Sequence, residues 1–305
     1  MKRLPFPSDL LHPRHWLTWL GVGIFVLIAF LPWQWRDWLG QRLGDVLYHY
    51  HAKRRHVVST NLRLCFPHLR DAERATMAQQ HLREYASALL DYSVLFFRQR
   101  TYLYQRSIIR GREHFDNALQ KGQNVILFMA HSVWLELIPV ILGQHYALYG
   151  SYKPFKNPVI NWLITRSRLS DVEFVVAREE GLMKLVRALK PGLAMVFSPD
   201  EDLGLKAAVF APFFGIPKAT LTTPARLAKL GKAVALPIMA LRNPDNGQYE
   251  IHIGAALRDY PSQDEVQDAT QTNHALMALI TQAPTQYMWL LKLFRTVPDG
   301  TTPHY

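Results

Sequence analysis

Asn124-Val-Ile-Leu-Phe-Met-Ala-His131-Ser-Val-Trp-Leu-Glu136 is the stretch whose reading decides the fold. Val125 to Ala130 is a continuous apolar run of strand length, led in by Gly122. A run of that kind suits a strand buried on both faces of a parallel sheet. Directly after it, Trp134 to Leu142 reads as an apolar helix, with Leu135, Ile138 and Leu142 on its pattern. His131 and Ser132 therefore fall at a strand-to-helix junction, at the carboxyl end of a strand, where open α/β sheets bind their ligands. A helix start adds free backbone N–H groups and a partial positive charge.

His131 and Glu136 form a His-x4-Glu pair, and positions i and i+5 lie about 140° apart on an ideal helix. The two side chains meet only if the histidine sits in the loop and bends back over the first turns. A carboxylate on one imidazole nitrogen fixes the tautomer and leaves the other as a general base. The spacing alone is weak, because 13 His and 24 acids in 305 residues give about one match by chance. His68-x4-Glu73 is a second match, but it follows Pro67 and opens a polar helix with no strand before it. Context selects His131.

Outward from this run, the chain alternates strands and helices from Gln123 onward. Strands are expected at Val125–Ala130, Tyr146–Tyr152, Val172–Ala177, Leu193–Ser198, Val234–Leu241 and Tyr249–Ile253. Helices are expected at Trp134–Leu142, Val159–Ser167, Gly181–Leu189 and Thr223–Leu230. That alternation predicts right-handed crossovers and an α/β fold with a mostly parallel sheet flanked by helices. Asn243-Pro-Asp-Asn-Gly247 reads as a turn between the last two strands. Before Gln123 the pattern is helical, with residues 37–62 amphipathic and basic on one face and a long helix over Asp71–Phe97.

Residues 16–35 contain no charge, and Trp16, Trp19, Trp33, Trp35 and Trp38 cluster at the two ends. Twenty residues at 1.5 Å each match a bilayer core of about 30 Å, and amphipathic rings gather at membrane interfaces. Residues 1–36 are therefore read as an N-terminal anchor, spanning or interfacial, and 37–305 as a single catalytic domain. Arg36, Arg42, Lys53, Arg54 and Arg55 outnumber Lys2, Arg3 and Arg14, which tilts the larger part towards the cytoplasm. The net charge is +11, hydrophobic residues make up 49% and charged ones 19%. With no zinc-finger spacing, no RNP-type motif and no basic block longer than Lys53-Arg54-Arg55, lipid is the expected partner of that charge and nucleic acid is not. The single Cys65 excludes an intrachain disulfide.

Two polar clusters also follow strands. Tyr152-Lys-Pro-Phe-Lys-Asn157-Pro158 brings Lys153 and Asn157 near the junction, with Arg166 and Arg168 in the next helix; Asn157-Pro158 is equally a plain helix start. Ser198-Pro-Asp200-Glu201-Asp202 puts three acids at a strand end. They suit a metal, an arginine partner such as Arg166 or Arg168, or simple solvation. Phe210-Ala-Pro-Phe-Phe-Gly215 reads as core or as the wall of an acyl slot.

In this order the pieces resemble the late acyltransferases of lipid A biosynthesis, the lauroyl/myristoyl transferase family of Gram-negative bacteria. The resemblance rests on residues 12–21, on Asn61-Leu-Arg-Leu-Cys-Phe-Pro67, on His131-x4-Glu136 and on Tyr152-Lys-Pro-x-x-Asn-Pro158. It continues through Asp200-x-Asp202-x-Gly204, Phe210-x-Pro-Phe-Phe214 and Gln286-Tyr-Met-Trp-Leu290, with Lys153 where an arginine is usual. It implies a glycerolphosphate-acyltransferase-like fold and transfer of an acyl chain from acyl carrier protein to the 3-hydroxyl of an acyl chain on a Kdo-bearing lipid A precursor. It also implies His131 as base oriented by Glu136, substrate contacts from Lys153, Asn157, Arg166, Arg168, Asp200 and Asp202, and neither cofactor nor metal. The place of work implied is the cytoplasmic side of the bacterial inner membrane. Glu at the last position of the His-x4-Glu pair, with the look of both termini, leans towards the lauroyl branch. Two alternatives stand beside this reading: a glycosyltransferase holding a divalent metal on Asp200 and Asp202, and a membrane scaffold without activity.

Overall fold

The fold is built on one strand that is buried on both sides. The computed structural model describes residues 4–177 and 181–305, so Lys2 and Arg3 lie outside it. The chain begins with helices α1 (Trp16–Phe30), α2 (Trp33–Tyr50), α3 (Ala52–Cys65), α4 (Asp71–Phe97) and α5 (Arg100–Tyr104). Then come β1 (Ser107–Arg110), α6 (Arg112–Gln120), β2 (Asn124–Met129), α7 (Leu137–Gly143), β3 (Ala147–Tyr152), α8 (Pro158–Leu169), β4 (Phe174–Ala177), α9 (Leu182–Ala188) and β5 (Leu193–Phe197). The last part is β6 (Ala208–Phe213), β7 (Ile216–Leu221), α10 (Thr223–Gly231), β8 (Ala233–Arg242), β9 (Tyr249–Ile253) and α11 (Glu265–Ile280).

Seven strands form one sheet in the order β1-β9-β8-β2-β5-β3-β4. All neighbours are parallel except β8 and β9. The expected α/β architecture is what the chain forms, and the expected strands appear with ends shifted by at most two residues. Successive side chains of β2 point to opposite faces. Ile126 and Phe128 enter one apolar core with Tyr149 and Met195; Val125 and Leu127 enter the other with Trp134, Ile138 and Leu236. Because β5 and β8 flank β2 and the chain crosses from one to the other, the carboxyl end of β2 is a topological switch point, where crevices form.

Strands β1, β6 and β7 are not among those expected. β1 has only four residues of alternating burial at the sheet edge. β6 and β7 form a separate antiparallel hairpin containing Pro212 and Pro217, which reads as loop in one dimension. Its two-residue turn is Phe214-Gly215, both at positive φ (51° and 79°), the backbone a tight hairpin requires. Phe213 and Phe214 belong to an aromatic core with Phe66, Tyr287, Trp289 and Phe294. They are core, and the acyl-slot reading of this pair is corrected.

At the amino end, the uncharged stretch 16–35 is divided by Leu31-Pro32. Pro13–Phe30 is long and apolar enough to cross a membrane, with mean hydropathy 1.3. Trp16, Leu17, Leu20, Leu27 and Phe30 are exposed on α1, while Trp19 and Val22 pack with Val159, Trp162 and Leu163 of α8. The expected 37–62 helix is two elements, α2 and α3, broken at His51. α2 is pressed onto α4: an added Cβ at Gly40 would lie 2.4 Å from the Ser87 Cα, and one at Gly44 2.4 Å from the Arg83 Cα. Arg36, counted above among the flanking basic residues, is fully buried and donates to Asp91 at 2.5 Å. Tyr249 donates to the other Asp91 oxygen at 2.9 Å, so α2, α4 and β9 share one carboxylate.

A second buried group on α4 gives the fold a pH dependence. His81 is fully buried, and its Nδ1–H donates to the Thr285 carbonyl at 2.9 Å. Burial pushes its pKa from 6.5 down to about 4, only partly offset by that hydrogen bond. The unfolded chain therefore takes up the proton first as pH falls, so the stability of the neutral form is complete above 6.5 and is lost towards 4. The loss is roughly 3 kcal/mol at 1.36 kcal/mol per unit. Urea unfolding at pH 7 and pH 4.5 should show a smaller pH effect in His81→Leu than in the unmodified chain; equal effects would refute the assignment.

Candidate active site

β2 delivers His131 to the wall of a cavity of about 620 Å³ at the carboxyl edge of the sheet. Apolar side chains dominate the lining, among them Leu135, Pro139, Tyr149, Val172, Leu185, Val196 and Leu221. Glu136, Lys153, Arg168, Glu201 and Lys206 add charge to it. An apolar cleft with a few placed polar groups is the usual form of a small-ligand site.

The loop from His131 to Glu136 is not helical; α7 begins at Leu137 with Glu136 as its N-cap residue. The loop is held by the segment after α11. The Val133 N–H donates to the Gln286 carbonyl at 2.9 Å, and the Met288 N–H to the His131 carbonyl at 2.8 Å. From the other side, the Tyr92 hydroxyl donates to the Val133 carbonyl at 2.5 Å. The histidine backbone is thus tied from α4 and from the carboxyl-terminal segment.

The carboxylate on His131 Nδ1 belongs to Asp200, at 2.5 Å. Asp200 Oδ2 also accepts the His131 backbone N–H at 2.7 Å and the Tyr287 hydroxyl at 3.0 Å. Asp200 has no exposed surface. Burial raises its pKa, but the attraction and hydrogen bonds of His131, with Lys218 added, outweigh burial and hold it below the usual carboxylate value. Burial and the Asp200 charge push the Tyr287 phenol up, so it remains a donor. A carboxylate on Nδ1 fixes the tautomer in which Nε2 takes up a proton. Nε2 lies 4.0 Å from Glu201.

Glu136 meets a different partner from the one expected. Its carboxylate accepts from Arg168 twice, Nε at 3.0 Å and Nη2 on the second oxygen, a two-point ion pair on the cavity wall. Burial lowers the Arg168 pKa, yet Glu136 raises it further, so the guanidinium stays charged. The correction is a matter of register: six residues of loop place the imidazole against the strand end of β5, and Glu136, at the helix start, faces α8. Asp200 and Asp202 likewise do not take Arg166 or Arg168. Asp202 accepts from the Gly204 N–H at 3.0 Å and from Thr296, at 2.6 Å from the backbone N–H and 2.8 Å from the hydroxyl.

Arg166 is exposed and lies over the Trp162 ring at 5.2 Å. Asn157 caps α8, accepting from Val159 and Ile160, and donates to Thr18 at 3.1 Å. Lys153 lines the cavity. Glu73, of the second His-x4-Glu match, is spent on capping α4 through Arg70. Tyr287, Lys218 and Lys206 were not singled out in the sequence; Tyr287 lies inside the quoted Gln286-to-Leu290 block, which was the available signal. Every carboxylate oxygen of Asp200 and Asp202 faces a protein donor, and among the described residues no three potential ligands gather around a metal position. That arrangement does not favour the metal-dependent alternative.

Comparison with known proteins gives the family. Residues 3–296 match the family model described as bacterial lipid A biosynthesis acyltransferase. The chain is 34% identical over 296 residues to a lipid A biosynthesis acyltransferase of Haemophilus influenzae, covering 97% of this chain and 92% of that one. It is 32% identical to the lipid A biosynthesis lauroyltransferase of Escherichia coli, with 100% of both chains covered. It is 31% identical to the palmitoleoyltransferase of the same organism, with 98% of both chains covered. The chain belongs to the bacterial lipid A biosynthesis acyltransferases.

Proposed function

We propose that this acyltransferase moves a fatty acyl chain from the thioester of acyl carrier protein to the 3-hydroxyl of an acyl chain on a Kdo-bearing lipid A precursor. The observation that carries the reading is the His131–Asp200 pair set into the wall of an apolar cavity. His131 Nε2 takes the hydroxyl proton as the acceptor oxygen attacks the thioester carbonyl. The carbon–oxygen bond forms, the carbon–sulfur bond breaks, and the proton passes to the leaving sulfur. Asp200 stabilises the imidazolium formed between these steps. Arg168, fixed by Glu136, provides positive charge at the cavity wall for the oxygen that becomes negative in the transition state. Lys153 and Lys206 suit the anionic groups of either substrate.

The chain works at the cytoplasmic face of the bacterial inner membrane in this reading. The exposed apolar face of α1, continued by Trp35 and Trp38 on α2, supports contact with lipid. Relatives named for lauroyl and for palmitoleoyl transfer are almost equally similar, so the lean towards a lauroyl donor rests on Glu136 and the two termini. A panel of acyl carrier protein thioesters incubated with the precursor, followed by product mass, tests donor and acceptor together. No mass increase with any thioester would overturn the reading.

His131→Ala and Asp200→Asn should each cut turnover by about 10²–10⁴. The double variant should be little worse than the deeper single one, because the two act as a unit. Losses that multiply in full would show independent roles. Arg168→Lys keeps the charge and removes the two-point grip; kcat/KM should fall about tenfold or more. Glu136→Gln should then add little in the Arg168→Lys background, measured as a double-mutant cycle.

A further inference from the structure

The cavity beside His131 has walls on both faces of the sheet, and the two faces are built differently. Adjacent residues of a strand point to opposite faces, and both Tyr149 and Gly150 of β3 line the cavity, as do Val196 and Phe197 of β5. Tyr149 and Phe197 pack in the core that holds Leu185 of α9, and Val196 packs against the core that holds α7. On the α9 face Tyr149 bridges sheet and helix: its hydroxyl donates to the Leu185 carbonyl at 2.7 Å, and its ring stacks on Phe174 at 4.9 Å. On the α7 face the floor is a row of three, because the strand register sets Gly150 between Val196 of β5 and Val175 of β4. All three line the cavity, with Pro139 of α7 and Val172 above them. Gly150 is not at positive φ, so its backbone does not demand glycine; a Cβ there would lie 2.9 Å from the Val196 carbonyl oxygen. The missing side chain leaves space between two valines, Val196 on the near side and Val175 as the far wall.

We propose that the space over Gly150 holds the tail of the donor acyl chain and that Val175 limits the length of that chain. The polar end of the slot is Arg168, whose carbonyl accepts from the Val172 N–H at 3.0 Å, so the guanidinium and the slot share one helix end. A thioester carbonyl held between His131 and Arg168 sends its tail away from the histidine across the sheet. The path crosses the strands in the order β2, β5, β3, β4, from His131 after β2 to Val175 in β4. Three interstrand steps of about 4.8 Å make about 14 Å, the length of an extended dodecanoyl chain. Every wall along the path on this face is apolar, as a hydrocarbon tail requires. A longer tail meets the Val175 side chain, and a shorter one leaves the far end empty.

The inference rests on the transfer reaction proposed above, and the test separates the two. kcat/KM of the full chain is measured by product mass with octanoyl, decanoyl, dodecanoyl and tetradecanoyl thioesters of acyl carrier protein and the Kdo-bearing precursor. Val175→Phe fills the far end of the slot and should lower the dodecanoyl-to-decanoyl ratio by about tenfold or more, the scale of one methylene in an apolar pocket. Val175→Ala lengthens the slot and should raise the tetradecanoyl-to-dodecanoyl ratio by a similar factor. Leu185→Val, on the α9 face, should leave the order of donors as it is. Opposite shifts from one position are not produced by a loosened site, which lowers all donors alike. Unchanged ratios in folded Val175→Ala overturn the proposal, whether or not Val175→Phe folds, and so does a uniform fall for every donor. A shift in preference among precursors with shorter and longer receiving chains, with donor ratios unchanged, would give the slot to the acceptor and overturn it as well. No transfer from any thioester by the unmodified chain would instead remove the reaction itself.

Discussion

Asp200 is the constraint on which the site depends. A carboxylate with no exposed surface is stable only if its lost hydration is replaced, and here the replacements come from three distant parts of the chain. His131 supplies a ring nitrogen and a backbone N–H, Tyr287 a hydroxyl, and Lys218 a charge. Each donor is also fixed by what it does for Asp200. Removing one partner leaves a buried charge without its match, a loss of about 3–5 kcal/mol in comparable pairs. The same bonds that make the carboxylate tolerable therefore aim the imidazole at the cavity.

The segment Gln286–Leu290 closes the arrangement. Gln286 binds the Arg242 backbone of β8 at both its amide ends, 2.9 and 2.8 Å, and its own carbonyl accepts from Val133. Asn61 on α3 donates to the Trp289 and Leu291 carbonyls, both at 2.7 Å. Segments around residues 61, 131, 200 and 287 thus meet within one hydrogen-bonded unit. Those around 200 and 287 bind the residue at 131, and the one around 61 holds the strap in place. Short blocks scattered over the chain are kept together because each satisfies backbone or carboxylate groups of another.

The helical amino-terminal part is fastened by different means. Gly40 and Gly44 let α2 approach α4 until their backbones touch, and Arg36, Asp91 and Tyr249 join that pair to the sheet edge. Arg242 on β8 reaches Asp37 of α2 in the same region and lies over the Trp134 ring at 4.9 Å. The apolar face of α1 and the tryptophans of α2 are thereby placed at a set position relative to the cavity mouth. The exposed apolar face of α1 and the cavity at the sheet edge are thus joined through packed helices.

Much of this was legible in one dimension. Apolar runs of strand length with helical patterns between them specify a parallel sheet, since a strand buried on both faces has no other arrangement for its side chains. The junction after Val125–Ala130 also specified where a cavity would sit, because strand ends at a switch point form the crevice. The β6–β7 hairpin and β1 were not legible, as prolines and short edge strands carry no periodic signal. Partner choice was hidden for the same reason in a stronger form. His131 and Glu136 are five residues apart and look paired, but a loop between them turns one towards β5 and the other towards α8. Asp200, Tyr287 and Lys218 come together only in space. The sequence by itself determined the sheet, its central strand and the histidine at that strand's end. Which carboxylate binds the histidine was decided by tertiary structure alone, because hydrogen bonds of about 3 Å depend on positions that contacts between distant segments set.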